Sequence, residues 1–124
     1  MFKHYICIVK IENEIKQIKP FGSNFEKAMV NLVYTNNWLA TVQKEFFKKY
    51  DLTSKQYNIL RILRGAEKAI STSDIRERML DKMSDVSRIV DRLFKKGLVD
   101  KNICPNDQRK VDCLLYTSPS PRDS

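Results

Sequence analysis

Glycine is scarce in this sequence: only Gly22, Gly65 and Gly97 occur in 124 residues. A phosphate-cradling loop needs clustered glycines so that its backbone amides can approach the ligand, and no such loop can be drawn. Histidine occurs once, at His4, and cysteine three times, at Cys7, Cys104 and Cys113, with no Cys-x-x-Cys pair. So few ligands at such spacings give neither a Cys/His nucleophile pair nor a metal cluster. These shortages argue against an enzyme and against a bound cofactor or metal. No apolar run approaches the roughly 18 residues needed to span a bilayer. Residues 5–9 are too short for a signal-peptide core. The expectation is a cytoplasmic protein without a membrane partner, whose cysteines stay reduced.

Charge and apolar residues, in contrast, are plentiful. Hydrophobic residues make up 42% and charged residues 31%, values that suit one small globular domain. Lys and Arg number 23 against 15 Asp and Glu, a formal charge of +8. The excess is +3 over residues 1–52 and +5 over residues 53–115. A basic surplus fits a nucleic acid or an anionic membrane surface, so its placement matters more than its size.

Residues 70–99 organise the chain. Ser71 is a good N-cap, with Asp74 three positions on as in a capping box and Ile70 and Ile75 available as a hydrophobic staple. The spacing predicts a helix to about Leu80, a tight break, and a second helix from near Asp81 or Lys82 to Gly97, a residue that tolerates positive φ. Met83, Val86, Ile89, Val90 and Leu93 follow helical spacing and are expected to face inward. Ser84, Ser87, Arg88, Asp91, Arg92 and Lys95 fall on the other side. Small hydroxyl residues followed by arginines suit a helix whose first turns enter a DNA major groove. The same pattern also fits the solvated face of an ordinary amphipathic helix. Residues 98–104 and 111–115 can form two strands around a polar turn at 105–110, which makes a basic-tipped hairpin after the helix pair.

In these features the chain resembles the multiple antibiotic resistance regulator (MarR) family of bacterial transcription factors. The residues that carry the resemblance are Asp85-Val86-Ser87-Arg88-Ile89-Val90-Asp91-Arg92-Leu93, Lys95-Lys96-Gly97-Leu98-Val99, and Asp107-Gln108-Arg109 with Cys113 and Leu115. The match runs roughly from Asn24 to Leu115. It implies a mainly α fold with a small antiparallel β-wing, a winged helix-turn-helix. It also implies, in the full-length form, a homodimer on double-stranded DNA, at a pseudo-palindromic operator, acting as a repressor. Ser84, Ser87, Arg88 and Arg92 would then read bases. Arg109 would enter the minor groove, whose negative potential attracts arginine, with Asp107 holding it and Lys110 on phosphate. Thr72 and Ser73 would meet phosphate at a helix start.

The remaining segments are less specific. Ile11, Ile15 and Ile18 are spaced for a short helix over residues 11–19, ended by Pro20 and Gly22. Residues 1–22 are read as an N-terminal segment that contributes to dimerisation. Residues 23–51 are read as a long scaffold helix with Ser23 as N-cap. Phe25, Ala28, Met29, Leu32, Leu39, Val42 and Phe46 form one stripe of it, and Val30, Val33, Tyr34 and Trp38 a second side. A helix apolar on two sides needs cover on two sides, most simply from a second subunit. Residues 52–115 are the DNA-binding domain, opened by Thr53 and Gln56 as a capping box with Leu52 stapled to Tyr57. Residues 116–124 alternate Ser and Pro and depart from the family's pattern, so they are expected to be a foreign or disordered tail on a C-terminally truncated chain.

Members of that family often release DNA when a small aromatic molecule binds, and Tyr34, Trp38, Tyr57 and Arg61 are the candidate lining for such an effector. Packing alone explains those aromatics equally well. Two further readings stand beside the regulator: a winged-helix module that binds protein rather than DNA, and a truncated fragment without function.

Overall fold

Four helices begin on a side chain that accepts an orphan amide of the first turn. The computed structural model describes residues 10–115, the side chains of 108–110 excepted. The element order is α1 (Ile11–Glu14), α2 (Asn24–Lys48), α3 (Ser54–Ala66), β1 (Ile70–Ser71), α4 (Thr72–Arg78), α5 (Val86–Lys95), β2 (Val99–Cys104) and β3 (Asp107–Leu115). Ser23 Oγ accepts the Glu26 amide at 3.1 Å, before α2. Thr53 with Gln56 and Ser71 with Asp74 form complete capping boxes before α3 and α4. Asp85 caps α5. Each such cap is worth about 1 kcal/mol. Gly97 follows α5 at φ 73°, the left-handed region expected of a helix-ending glycine.

The chain divides into two compact units, Met1–Gln43 and Lys44–Ser124. The second holds the main core. Ile59 and Leu63 of α3, Ile75 of α4, Val86, Val90 and Leu93 of α5, Val99 of β2 and Cys113 of β3 are all buried in one cluster. Burying a side chain of this kind contributes about 1.5–3 kcal/mol. The three strands form an antiparallel sheet in the order β1-β3-β2. Cys113 at the centre faces Ile70 on one side and Lys101 on the other. In the first unit, Lys27 pairs with Glu12 at 2.6 Å, and the Tyr34 hydroxyl donates to Glu14 at 3.1 Å.

Several sequence expectations are corrected. The second helix of the pair starts at Val86, not near Asp81, because Asp85 takes the capping position. Met83 therefore lies outside the helical phase and is 91% exposed, whereas Val86, Val90 and Leu93 are buried as expected. The first helix of the pair ends at Arg78 rather than Leu80. Helix α1 stops at Glu14, and Lys16 turns left-handed at φ 51°, so Ile18 leaves the stripe and is 96% exposed. The hairpin turn is Pro105–Asn106, not 105–110; Asp107 already pairs with Cys104 in the sheet. The two-residue strand β1 was not expected. Residues 1–9 and the tail from 116 lie outside the described residues.

A candidate nucleic-acid interface

Helix α5 separates its residues by face. Val86, Val90 and Leu93 are sealed in the core, while Ser87, Arg88 and Arg92 are exposed on the opposite side. Arg88 and Arg92 are four residues apart and so share one face. Its start is fixed by Asp85, whose Oδ1 accepts the Arg88 amide at 3.2 Å. Its middle is fixed to the sheet by Lys101, which pairs with Asp91 and lies 5.3 Å above the Phe94 ring. Its end is fixed by Lys96, which donates to the Asp51 carbonyl and reaches Gln56 Oε1 at 3.3 Å. Three anchors, at the N-cap, the middle and the C-cap of the helix, hold the exposed face in one orientation.

The turn between α4 and α5 is held from α3. Asn58 is buried, and its Oδ1 accepts the Leu80 amide at 3.1 Å. Asp81 accepts the Met83 amide at 2.9 Å and pairs with Lys55 at 3.1 Å. Those hydrogen bonds, the backbone one first, hold the Asp81 carboxyl below its ordinary value. Neither Asn58 nor Lys101 was singled out from the sequence. A polar residue at a core-facing position of an apolar helix, as Asn58 is between Tyr57 and Ile59, is the signal that could have found the first.

The other expected site residues are placed unevenly. Ser84 lies in the turn before α5 and is 7% exposed, so it does not share the exposed face of Ser87 and Arg88. Thr72 is half-buried and Ser73 exposed at the start of the seven-residue α4. There the Asp74 carboxylate already takes the Ser71 hydroxyl at 2.8 Å and the Ser71 amide at 3.2 Å. These bonds, the Ser71 hydroxyl first, hold the Asp74 carboxyl below its ordinary value. Asp107 is half-buried beside the hairpin turn. The side chains of Arg109 and Lys110 lie outside the described residues.

The four candidate effector residues fall in both units. Tyr34 and Trp38 belong to the first, where the hydrogen bond to Glu14 raises the Tyr34 phenol above its ordinary pKa. Tyr57 and Arg61 belong to the second and line an open cavity of about 680 Å³. Phe47 stacks on Tyr57 at 4.6 Å, and Arg64 adds a second guanidinium to the lining. Among the described residues no helix is long and apolar enough to cross a membrane, and no group of three His, Cys, Asp or Glu could hold a metal ion.

A short helix, a held turn and a second helix, closed by an antiparallel hairpin, define a winged helix-turn-helix protein. The MarR family model matches residues 52–111. A MarR transcription factor from Planctomyces limnophilus is 31% identical, with a TM-score of 0.67 over 78% of this chain and 70% of that one. On these matches the chain belongs to the MarR family of transcription regulators. PcaV from Streptomyces coelicolor, solved in complex with its natural ligand, is 27% identical (TM-score 0.54) over 66% of this chain and 60% of that one. A mutant E. coli MarR complexed with operator DNA shares the fold at 24% identity and a TM-score of 0.59, over 88% of this chain and 70% of that one. A comparison with curated proteins found no match.

Proposed function

We propose that this protein is a sequence-specific duplex-DNA-binding regulator, a repressor of the MarR type that works as a homodimer in the cytoplasm. The observation that carries the reading is the division of α5: a sealed apolar side against the core, and Ser87, Arg88 and Arg92 on an outward side held at three points. A helix so held can enter a major groove as a rigid body, which base readout requires. Family membership and the fold shared with an operator-bound relative support the same reading. Ser87, Arg88 and Arg92 are assigned to bases, Arg109 to the minor groove, Lys110 to phosphate and Asp107 to the support of the wing. Ser84 is removed from the base-reading set by its burial. Residues 52–115 form the DNA-binding domain of this reading, and α2 the scaffold for dimerisation.

The cavity under Tyr57 supports a second element of the proposal. Its aromatic walls and two arginines suit a small aromatic molecule with an anionic group, which would act as the releasing effector. The deciding experiment is a salt titration of binding to random duplex DNA. Neutralising phosphates releases counterions, so the logarithm of affinity should fall linearly with that of salt. A chain that binds no duplex even at low salt would overturn the proposal.

A further inference from the structure

Arg88 is not free in the folded chain. The Asp85 carboxylate accepts the Arg88 amide through Oδ1 at 3.2 Å and meets Arg88 Nε through Oδ2 at 3.6 Å. One carboxylate thus caps α5 and cancels the first guanidinium on its exposed face. The two side chains are 60% and 72% exposed, so the pair belongs to the surface and contributes little to stability. Capping does not demand a charge either, because Asn and Ser cap a helix start about as well as Asp. The helix dipole favours an anion at this end, but neither it nor the cap accounts for the second carboxylate oxygen meeting Arg88 Nε.

We infer that Asp85 is a specificity-determining residue: it orients Arg88 toward a base edge and withholds the Arg88 charge from phosphates. The inference rests on the DNA-binding reading above. Sequence-independent binding draws on phosphate neutralisation and counterion release. A guanidinium whose charge is already met by a carboxylate releases few counterions. Base readout draws on direction instead: guanine presents O6 and N7 to the two-pronged donor of an arginine. The contact with Asp85 is made through Nε, which leaves the two terminal nitrogens for such an edge. The pair therefore lowers affinity for any duplex while keeping the directed part of Arg88 for the matched one.

The variant that separates these roles is Asp85→Asn, which keeps a capping side chain and removes the charge. Two probes are used with the full chain: a random-sequence duplex, and the duplex that the wild-type protein selects from a randomised pool. Binding to the random duplex should tighten several-fold, and its salt slope should steepen by about 0.9, the increment of one further phosphate contact. Binding to the selected duplex should gain less, so discrimination falls. Introduced beside Arg88→Ala, the same change should do nothing, since its effect passes through Arg88. Asp85→Ser serves as a second cap-preserving variant if the first lowers the melting temperature. An unchanged discrimination ratio and salt slope would overturn the inference. So would an equal effect in the Arg88→Ala background, which would make Asp85 only a general negative charge. If the wild-type chain binds neither duplex at low salt, the DNA-binding reading falls and this inference with it; if it binds both and Asp85→Asn changes nothing, only this inference falls.

Discussion

Asn58 Oδ1 and the Leu80 amide, 22 positions apart in sequence, are joined by a hydrogen bond of 3.1 Å. This bond ties α3 to the turn on which α5 is mounted. Leu80 itself is 82% exposed, so its side chain anchors nothing and the position of the turn depends on its backbone. Replacing Asn58 by Ala removes the acceptor and leaves a half-buried amide without its partner, at a cost of about 1–3 kcal/mol. Urea denaturation should therefore show a lower midpoint for Asn58→Ala with an unchanged slope. A midpoint equal to that of the wild type would mean that water replaces Asn58 at no cost, and the anchor would be dismissed.

Arg88 and Lys110 should behave differently when removed. In the proposed docking Arg88 touches a base edge and Lys110 a phosphate. Only the first contact carries sequence information. Arg88→Ala should reduce discrimination between a selected duplex and random DNA, whereas Lys110→Ala should weaken both nearly equally. Parallel losses from both substitutions would make Arg88 a phosphate ligand and remove the docking as drawn.

The wing prediction concerns Arg109. An arginine held in the minor groove makes several contacts, and Arg109→Ala should weaken binding to the selected duplex by about 1–3 kcal/mol. Thermal unfolding should be nearly unchanged, because the core of the domain is built from α3, α4, α5 and the sheet residues Val99 and Cys113. Full affinity in a folded variant would remove Arg109 from the groove.

Some of this architecture was legible in the sequence because it is local. The two capping boxes, at Thr53 and Ser71, lie within four residues each, and both formed as the residue types require. The inward row Val86, Val90 and Leu93 was equally plain. The periodicity misled where it was extended across an unseen boundary. Met83 and Ser84 fit the helical phase on paper, but Asp85 caps the helix after them, so Met83 is exposed and Ser84 buried. Ile18 failed for the same reason beyond the left-handed turn at Lys16. Strand β1 has two residues and exists only by pairing with β3, which no local pattern encodes. The links from Asn58 to Leu80 and from Lys101 to Asp91 are likewise tertiary.

Cys113 and Cys104 should differ in reactivity. Cys113 sits at the centre of the sheet with no exposed surface, and burial pushes its thiol up to about 11. The thiolate is the reactive form, so Cys113 should resist alkylation at neutral pH. In a variant whose other two cysteines are replaced by Ser, labelling should be slow in buffer and fast in urea. The same shift has a consequence for stability. A thiol raised on folding favours the protonated form, so its contribution is intact below the unfolded thiol value, about 8.5, and is lost as pH rises towards 11. Rapid labelling of Cys113 in the absence of urea would show that the sheet opens locally.

The last prediction concerns α2. Among its described residues only Phe47 is buried, while Phe25, Met29, Leu32 and Leu39, which share one stripe, are all exposed. Contiguous apolar surface of this kind is uncommon on a protein that stays monomeric. The helix should therefore drive association of the chain with a second copy. Association is also what the proposed function needs, because a regulator of this fold reads two half-sites about one DNA turn apart. Light scattering after size exclusion should give a mass above that of one chain, rising with concentration. Leu32 and Leu39 lie seven residues apart on one side of α2, and replacing both with Lys places two charges in that surface. The double variant should return to the mass of one chain and lose most of its affinity for a two-half-site duplex. Its domain should still melt cooperatively, since the residues of the main core lie outside α2. A wild-type chain that stays monomeric at every concentration would show that the apolar side of α2 is not an interface, and the dimeric reading would be abandoned.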